Sequence, residues 1–274
     1  MDNLPLAWII GFVAAIALSL IAWRLGALSR SGTVTAIVVG TLIVGTAGWW
    51  AGVILVSFFV SASALSHVST ALPSEIEQRR GNRRDAVQVL ANGGLPCLLA
   101  VTSALPDSPA PWLVAYAAAV AAATSDTWAT EVGRLLASTP RLLFSWRHVP
   151  PGTSGAVSAP GTTGAAAGAT LIAGLAAMGT ASGWWDMTGQ APSILVIVAL
   201  AGFGGCLVDS VLGATVQAMN WCPACDLMTE QDIHRCGTPT HPSSGIRWMT
   251  NDVVNALAVA SAAIAGLVAG AAIL

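Results

Sequence analysis

Apolar stretches long enough to cross a lipid bilayer recur along almost the whole sequence, and they limit what the chain can fold into more than any other feature. A helix spanning the hydrocarbon core needs roughly 20 apolar residues. Lipid offers no partner for an open backbone N–H or C=O, so such runs become helices that satisfy themselves internally. Runs of this kind lie near residues 4–23, 33–48, 50–69, 88–105, 112–135, 162–182, 193–219 and 252–273. Of the 274 residues, 55% are hydrophobic and 9% are charged, against roughly 25% charged in soluble domains. The fold class expected is all-α: a polytopic transmembrane bundle of about eight spans in a single membrane-embedded domain. The second run is short and contains Gly40, Gly45 and Gly48, so it reads either as a full crossing or as a re-entrant segment. The first, Leu4 to Trp23, lacks the basic leader and cleavage site of a signal peptide and reads as a span.

Orientation follows from the basic residues, all 11 of which are arginine. Arg24, Arg30, Arg79, Arg80, Arg83, Arg84, Arg134, Arg141, Arg147, Arg235 and Arg247 all fall on one side of the eight-span arrangement, in connectors or, for Arg134, at the end of a span. The opposite connectors carry Asp2, Asp107 and Asp186. The positive-inside rule then places both termini outside and the arginine-bearing loops in the cytoplasm, as in the plasma membrane of a prokaryote. Tryptophans fall at both boundaries: Trp8, Trp49, Trp50, Trp112, Trp184 and Trp185 at outer ends, Trp23, Trp221 and Trp248 at inner ends.

A net charge of -2 therefore hides a basic cytoplasmic face. Nucleic acid is not the expected partner. The loop "RRGNRR" reads either as an anchor to anionic lipid headgroups or as a capture site for a phosphorylated substrate. Without a lysine the chain has no Walker A loop, which excludes a P-loop ATPase. Phosphates would have to be held by arginine forks, by backbone N–H groups at glycine turns and helix N-termini, or through a divalent cation on carboxylates.

Each of these means occurs on the cytoplasmic side. In "VPPGTSGAVSAPGTTGAAAGA" the motif PGTSG is followed nine residues later by PGTTG. Gly152, Thr153, Ser154, Gly155, Gly161 and Thr162 offer convergent N–H and hydroxyl donors, with a helix N-terminus behind them; a flexible connector with an N-cap is the bland alternative. Acidic residues interrupt apolar helices at Asp126, Glu131, Asp209 and Asp252. An ionised Asp at mid-membrane costs roughly 2.5–3.5 kcal/mol on insertion scales, so such groups face a cavity, a partner charge or an ion. Asp209, Gly213 and Gln217 form one stripe, and Asn251 and Asn255 form another beside Asp252. Asp126 and Glu131 are separated by about 140° around a helix and do not share a face. Asp126 is the better metal ligand, whereas Glu131 lies three residues from Arg134 and reads as readily as its ion-pair partner.

Five separated segments, "RRDAVQVLANGG", "SDTWATEVG", "VPPGTSGAVSAPGTTGA", "GGCLVDSVLGATVQ" and "TNDVVN", resemble the integral-membrane phytyl-phosphate kinase family, related to the vertebrate transmembrane protein 19 family. The resemblance implies phosphorylation of a prenyl monophosphate to the diphosphate, with a nucleoside triphosphate, CTP, as donor. Asp126, Ala129 and Gly133 also match a pattern similar to dolichol kinases and CDP-diacylglycerol synthases, which keeps lipid-phosphate cytidylyltransfer open beside phosphoryl transfer. On this reading Asp126 and Asp209, assisted by Glu131 or Asp252, hold Mg2+ on the triphosphate. Arg84 and Arg134 hold the acceptor phosphate, with Arg80 and Arg83 as outer attraction. Gln88, Asn92, Asn251 and Asn255 are candidate substrate contacts. A transporter of a phosphorylated lipid would also place acids within helices, but no repeated halves are visible.

A separate module lies in the connector 219–250. "CPACDLMTEQDIHRC" supplies Cys222, Cys225, His234 and Cys236, the ligand count of a structural Cys3His zinc site. A metal-free loop is the alternative. A disulfide there conflicts with a reducing cytoplasm.

Overall fold

A computed structural model describes residues 4–69, 83–105, 110–136, 139–149, 153–187, 189–234 and 236–274. Its helices are α1 (Leu4–Arg24), α2 (Arg30–Ser69), α3 (Ala86–Ser103), α4 (Pro111–Leu135), α5 (Ala159–Ala181), α6 (Ala191–Thr215) and α7 (Asn251–Ile273). Among the described residues, short strands lie only in two connectors: β1 (Arg141–Leu142) pairs with β2 (Ala156–Val157), and β3 (Met219–Cys222) sits between β4 (Leu227–Thr229) and β5 (His241–Ser244).

The expected second and third spans are the two parts of the 40-residue α2, which breaks at Gly48. Its φ of 82° and ψ of 179° lie in a region only glycine enters without strain, which is why the joint falls there. Among the described residues, six helices are long and apolar enough to cross a membrane: α1, α2, α3, α5, α6 and α7. α4 is not one of them, and its place in the bundle gives the reason. α4 packs against α2, α3, α5, α6 and α7, and every residue from Val114 to Ser125 is buried. It is sheathed in protein, so its composition need not satisfy lipid.

Small residues make that sheath close. A Cβ on Gly202 or Gly205 of α6 would come within 2.5 Å of Ala121 and 2.7 Å of Ala122, respectively. One on Gly266 of α7 would lie 2.7 Å from Ala118, and one on Gly164 of α5 would lie 2.8 Å from the Trp128 carbonyl oxygen. With little hydrophobic driving force between helices in lipid, such backbone approaches supply the dispersion contacts that hold a bundle together.

At one end of the bundle Trp50 stacks on Trp184 at 6.3 Å, and its Nε1 donates to the Leu175 carbonyl at 2.7 Å. Tyr116 donates to the Ala51 carbonyl at 2.6 Å and meets Trp185 edge-on at 6.5 Å. Trp185 is 2% exposed, so it is a packing residue rather than part of an interfacial belt. The opposite end carries the strands. There the α1–α2 connector joins the chain ahead of α3, with Arg84 donating its N–H to Ala27 and accepting from Ser29, both at 3.0 Å.

Overpacking the seam should be costly. Gly164→Val should lower stability by about 1–3 kcal/mol, read as a lower thermal unfolding midpoint in detergent. Gly174→Val, where an added Cβ meets nothing within 4 Å, should leave the midpoint unchanged.

Candidate active site

The polar half of α4 divides its charges between two faces, as the 140° separation requires. Glu131 turns toward α2, where Ser66 donates to Oε1 at 2.6 Å and Ser69 donates to Oε2. Arg134 Nη1 lies 3.9 Å from Oε2. Glu131 is thus bonded within the helix packing and is not a lining residue of the cavity on the Asp126 face. That cavity, of about 150 Å³, lies between α4, α5 and α6 and the connectors at the strand-bearing end. Its walls include Asp126, Thr130 and Arg134 of α4 and Asp209 and Ser210 of α6. The Asp126 and Asp209 side chains approach each other across it. Asp209 Oδ2 and Arg134 Nε are buried with no hydrogen-bond partner. Two acids and a guanidinium therefore meet at one cavity with bonding capacity unused.

The two copies of the glycine motif do different work. In the first, Thr153, Ser154 and Gly155 form a turn on the cavity wall. Gly155 has a φ of +70°, and a Cβ there would lie 2.1 Å from the Ala214 backbone nitrogen, so the turn sits directly on the end of α6. The second copy lies inside α5. Ser158 caps that helix by accepting from the Gly161 N–H at 3.1 Å, and a Cβ on Gly161 would lie 3.0 Å from the Ala129 carbonyl oxygen. Its glycines bring α5 onto α4 rather than forming a second loop. Gly161 and Thr162 still line the cavity from the first turn of α5, and Asn251 does so from the first turn of α7. Two positive helix ends therefore border the space that holds the acids.

Glu230, which the sequence reading did not single out, also lines this cavity and interacts with Asp209. Buried Gln217 donates to it at 2.8 Å. The stripe of Asp209, Gly213 and Gln217 was visible in the sequence. Its signal was incomplete because the Gln217 partner comes from the Cys/His connector, across a tertiary contact.

Other candidates lie elsewhere. Arg84 is held between Phe58 and Phe59, at 5.8 and 5.4 Å from the ring centroids, with Nη1 3.4 Å from Ser63 Oγ. Burial pulls its pKa below the ordinary arginine value, and the Glu131 carboxylate acts against that shift. Arg83 is exposed beside Gly26. Gln88 completes a capping box with Asp85 at the start of α3, and Asn92 donates to the Gln88 carbonyl at 3.3 Å. None of these four lines the cavity, nor do Asp252 and Asn255. Arg80 and Gly152 fall outside the described residues.

In the connector, one ligand atom from each of Cys222, Cys225, His234 and Cys236 lies within 4.8 Å of all the others. The Cys222 and Cys236 sulfurs are 3.7 Å apart, close to the roughly 3.8 Å edge of a tetrahedron with metal–sulfur bonds of about 2.3 Å. His234 Nδ1 lies 3.1 Å from the Cys236 sulfur. Hydrogen bonding with Thr238 and then with His234 brings the Cys236 thiol down to about 6, while its hydrogen bond with Cys236 pushes Cys225 up to about 11. By geometry and donor type these four side chains could hold one metal ion.

A polytopic helical membrane protein with a polar cavity at one end is the class these features define. The chain belongs to the integral membrane protein family DUF92, whose model matches residues 13–263. It is 31% identical over 270 residues to Protein PGR of Arabidopsis thaliana, covering 90% of this chain and 91% of that one. An uncharacterized membrane protein of Methanocaldococcus jannaschii is 31% identical over 192 residues, covering 68% and 74% of the two chains. Protein VTE6, chloroplastic, of Arabidopsis thaliana is 24% identical over 250 residues, covering 88% and 64%. No solved structure matches. Membership establishes an integral membrane protein; with a chloroplastic relative among those matched, it does not support the expected prokaryotic plasma membrane.

The bonding of Glu131 predicts that Glu131→Ala should destabilise the fold by about 3 kcal/mol or more, because Arg134 loses its partner and two hydroxyls lose their acceptor. Thermal unfolding in detergent measures this directly.

Proposed function

We propose that the protein phosphorylates a prenyl monophosphate, phytyl phosphate or a similar isoprenoid phosphate, to its diphosphate. The donor is a nucleoside triphosphate, CTP on the family resemblance, and the reaction takes place at the cytoplasmic membrane face. The observation that carries this reading is the single cavity into which Asp126, Asp209 and Arg134 converge with an unpartnered carboxylate oxygen and an unpartnered guanidinium nitrogen. The chain's 24% identity to Protein VTE6 and its motif resemblance to phytyl-phosphate kinases point the same way.

A buried carboxylate pair with an oxygen to spare fits a divalent cation of oxygen-ligand type. Asp126 and Asp209 would hold Mg2+, which when bound offsets charge on the triphosphate. The protein's own part is positioning. The Thr153–Gly155 turn and the first turn of α5 present backbone N–H groups and hydroxyls to the donor phosphates. Arg134, tied to Glu131, holds the acceptor phosphate against the donor and reduces their mutual repulsion. An ionised acceptor oxygen attacks the terminal phosphorus, a new P–O bond forms, and the bond to the bridging oxygen breaks with its electron pair leaving on the nucleoside diphosphate. The attacking oxygen is already ionised near neutral pH, so no general base is required. The prenyl tail stays between helices, in contact with the bilayer.

Zinc held by Cys222, Cys225, His234 and Cys236 would fix the connector between α6 and α7, and with it Glu230 beside the cavity. In this role zinc is structural and takes no part in the transfer.

Purified protein given labelled prenyl monophosphate, CTP and Mg2+ should release CDP. Pyrophosphate release would instead identify a cytidylyltransferase, and no nucleotide consumption would overturn both. Asp126→Asn should reduce turnover by about 10³-fold or more, the scale of losing a group that stabilises transition-state charge, while the protein still folds in detergent. Elemental analysis should find one zinc per chain, lost in Cys222→Ser.

A further inference from the structure

A second pocket, of about 480 Å³, adjoins the first on the side of the Cys/His module. Glu230 and Asn251 belong to the walls of both, so the two spaces share a boundary. Its volume falls in the roughly 300–1,000 Å³ range of small-molecule sites. The lining is polar: Asn220 of β3, Asp232, Thr240, Ser244 of β5 and Arg247 contribute, and no aromatic or long aliphatic side chain other than Met219 does. Asn220 and Thr240 both donate to the Gln231 carbonyl, at 3.1 and 2.6 Å, which anchors two wall residues to one backbone point. Gly245, at a φ of +78°, lets this wall close over the chain after α6, since a Cβ there would lie 2.0 Å from the Gln217 carbonyl oxygen. The pocket is built as part of the module fold.

Resting on the phosphotransferase reading above, we infer that this pocket is the nucleoside subsite, taking the ribose and base of the donor while its phosphates run past Glu230 and Asn251 into the Asp126–Asp209 cavity. A prenyl chain has no place among these polar walls. A nucleoside does, because carboxylates and side-chain oxygens accept from ribose hydroxyls and base amino groups. The arrangement sorts the two substrates physically, with the nucleotide approaching through the module and the lipid phosphate arriving from the helices. It also gives the Cys/His cluster a consequence for the reaction, since β3, which ends in Cys222, lines the pocket with β5, and β4 leads into Glu230.

The test compares Asp232→Asn and Arg247→Ala with the unaltered protein in two measurements. In the first, the KM for CTP should rise about tenfold or more in at least one variant, the scale of losing a charged hydrogen bond, while the KM for prenyl phosphate stays within about twofold. In the second, isothermal titration with CMP in the absence of lipid should show binding to the unaltered protein and to Asp126→Asn, weakened by the same factor in the pocket variant. Unchanged CTP KM and CMP affinity in both folded variants would overturn the subsite while leaving the kinase reading intact. Circular dichroism and unfolding midpoints in detergent establish that the variants are folded. Failure of the unaltered protein to consume any nucleotide would instead overturn the reaction on which the inference rests.

Discussion

Close packing around α4 is the constraint on which the remainder of the molecule depends. A helix with Asp126, Glu131 and Arg134 in its last three turns would be costly against lipid. Surrounded by α2, α3, α5, α6 and α7, it is buried from Val114 to Ser125, and of the three charged side chains Glu131 is buried in the packing while Asp126 and Arg134 face the cavity. That enclosure needs small residues on both partners, and Ala118, Ala121 and Ala122 on α4 face Gly266, Gly202 and Gly205. The same backbone approaches bring Asp209 of α6 against Asp126. Packing and site are thus one arrangement: the glycines that let α6 reach α4 also bring the two carboxylates together.

Charge is handled differently on the two faces of α4. On the α2 side the acid is satisfied, with Glu131 taking bonds from Ser66 and Ser69 and pairing with Arg134. On the cavity side bonding capacity is left over, at Asp209 Oδ2 and Arg134 Nε. Arg134 spans the two environments. Its terminal nitrogen approaches Glu131 while its Nε, on the same rigid guanidinium, is left for something else. A fully bonded set holds a helix in place, whereas an incompletely bonded set in a cavity is suited to a ligand.

The Cys/His connector completes the cavity from outside the bundle. It links α6 to α7 and places Glu230 against Gln217 at the end of the Asp209 stripe. A connector rich in metal ligands is rigid when loaded, and rigidity here bears on the position of a third acid. Its polar walls also contrast with the apolar helix surfaces below, so the site faces two solvents at once.

Much of this was legible in the sequence because the bilayer and the α-helix impose simple rules. Run length identified the helices, and 100° per residue separated Asp126 from Glu131. The CxxC and HxC spacing announced the cluster, since short loops keep such ligands close whatever the rest of the chain does. Only tertiary structure decided that Gly48 joins two runs into one broken helix, that α4 is the enclosed centre, and that the second glycine motif lies within α5 rather than in a second loop. It alone brought Glu230 to the cavity and left Arg84 between two phenylalanines. These outcomes depend on which helix faces which. Periodicity reports the faces of each helix, but the choice of neighbour is made by shape, where a missing Cβ on one helix admits the backbone of another.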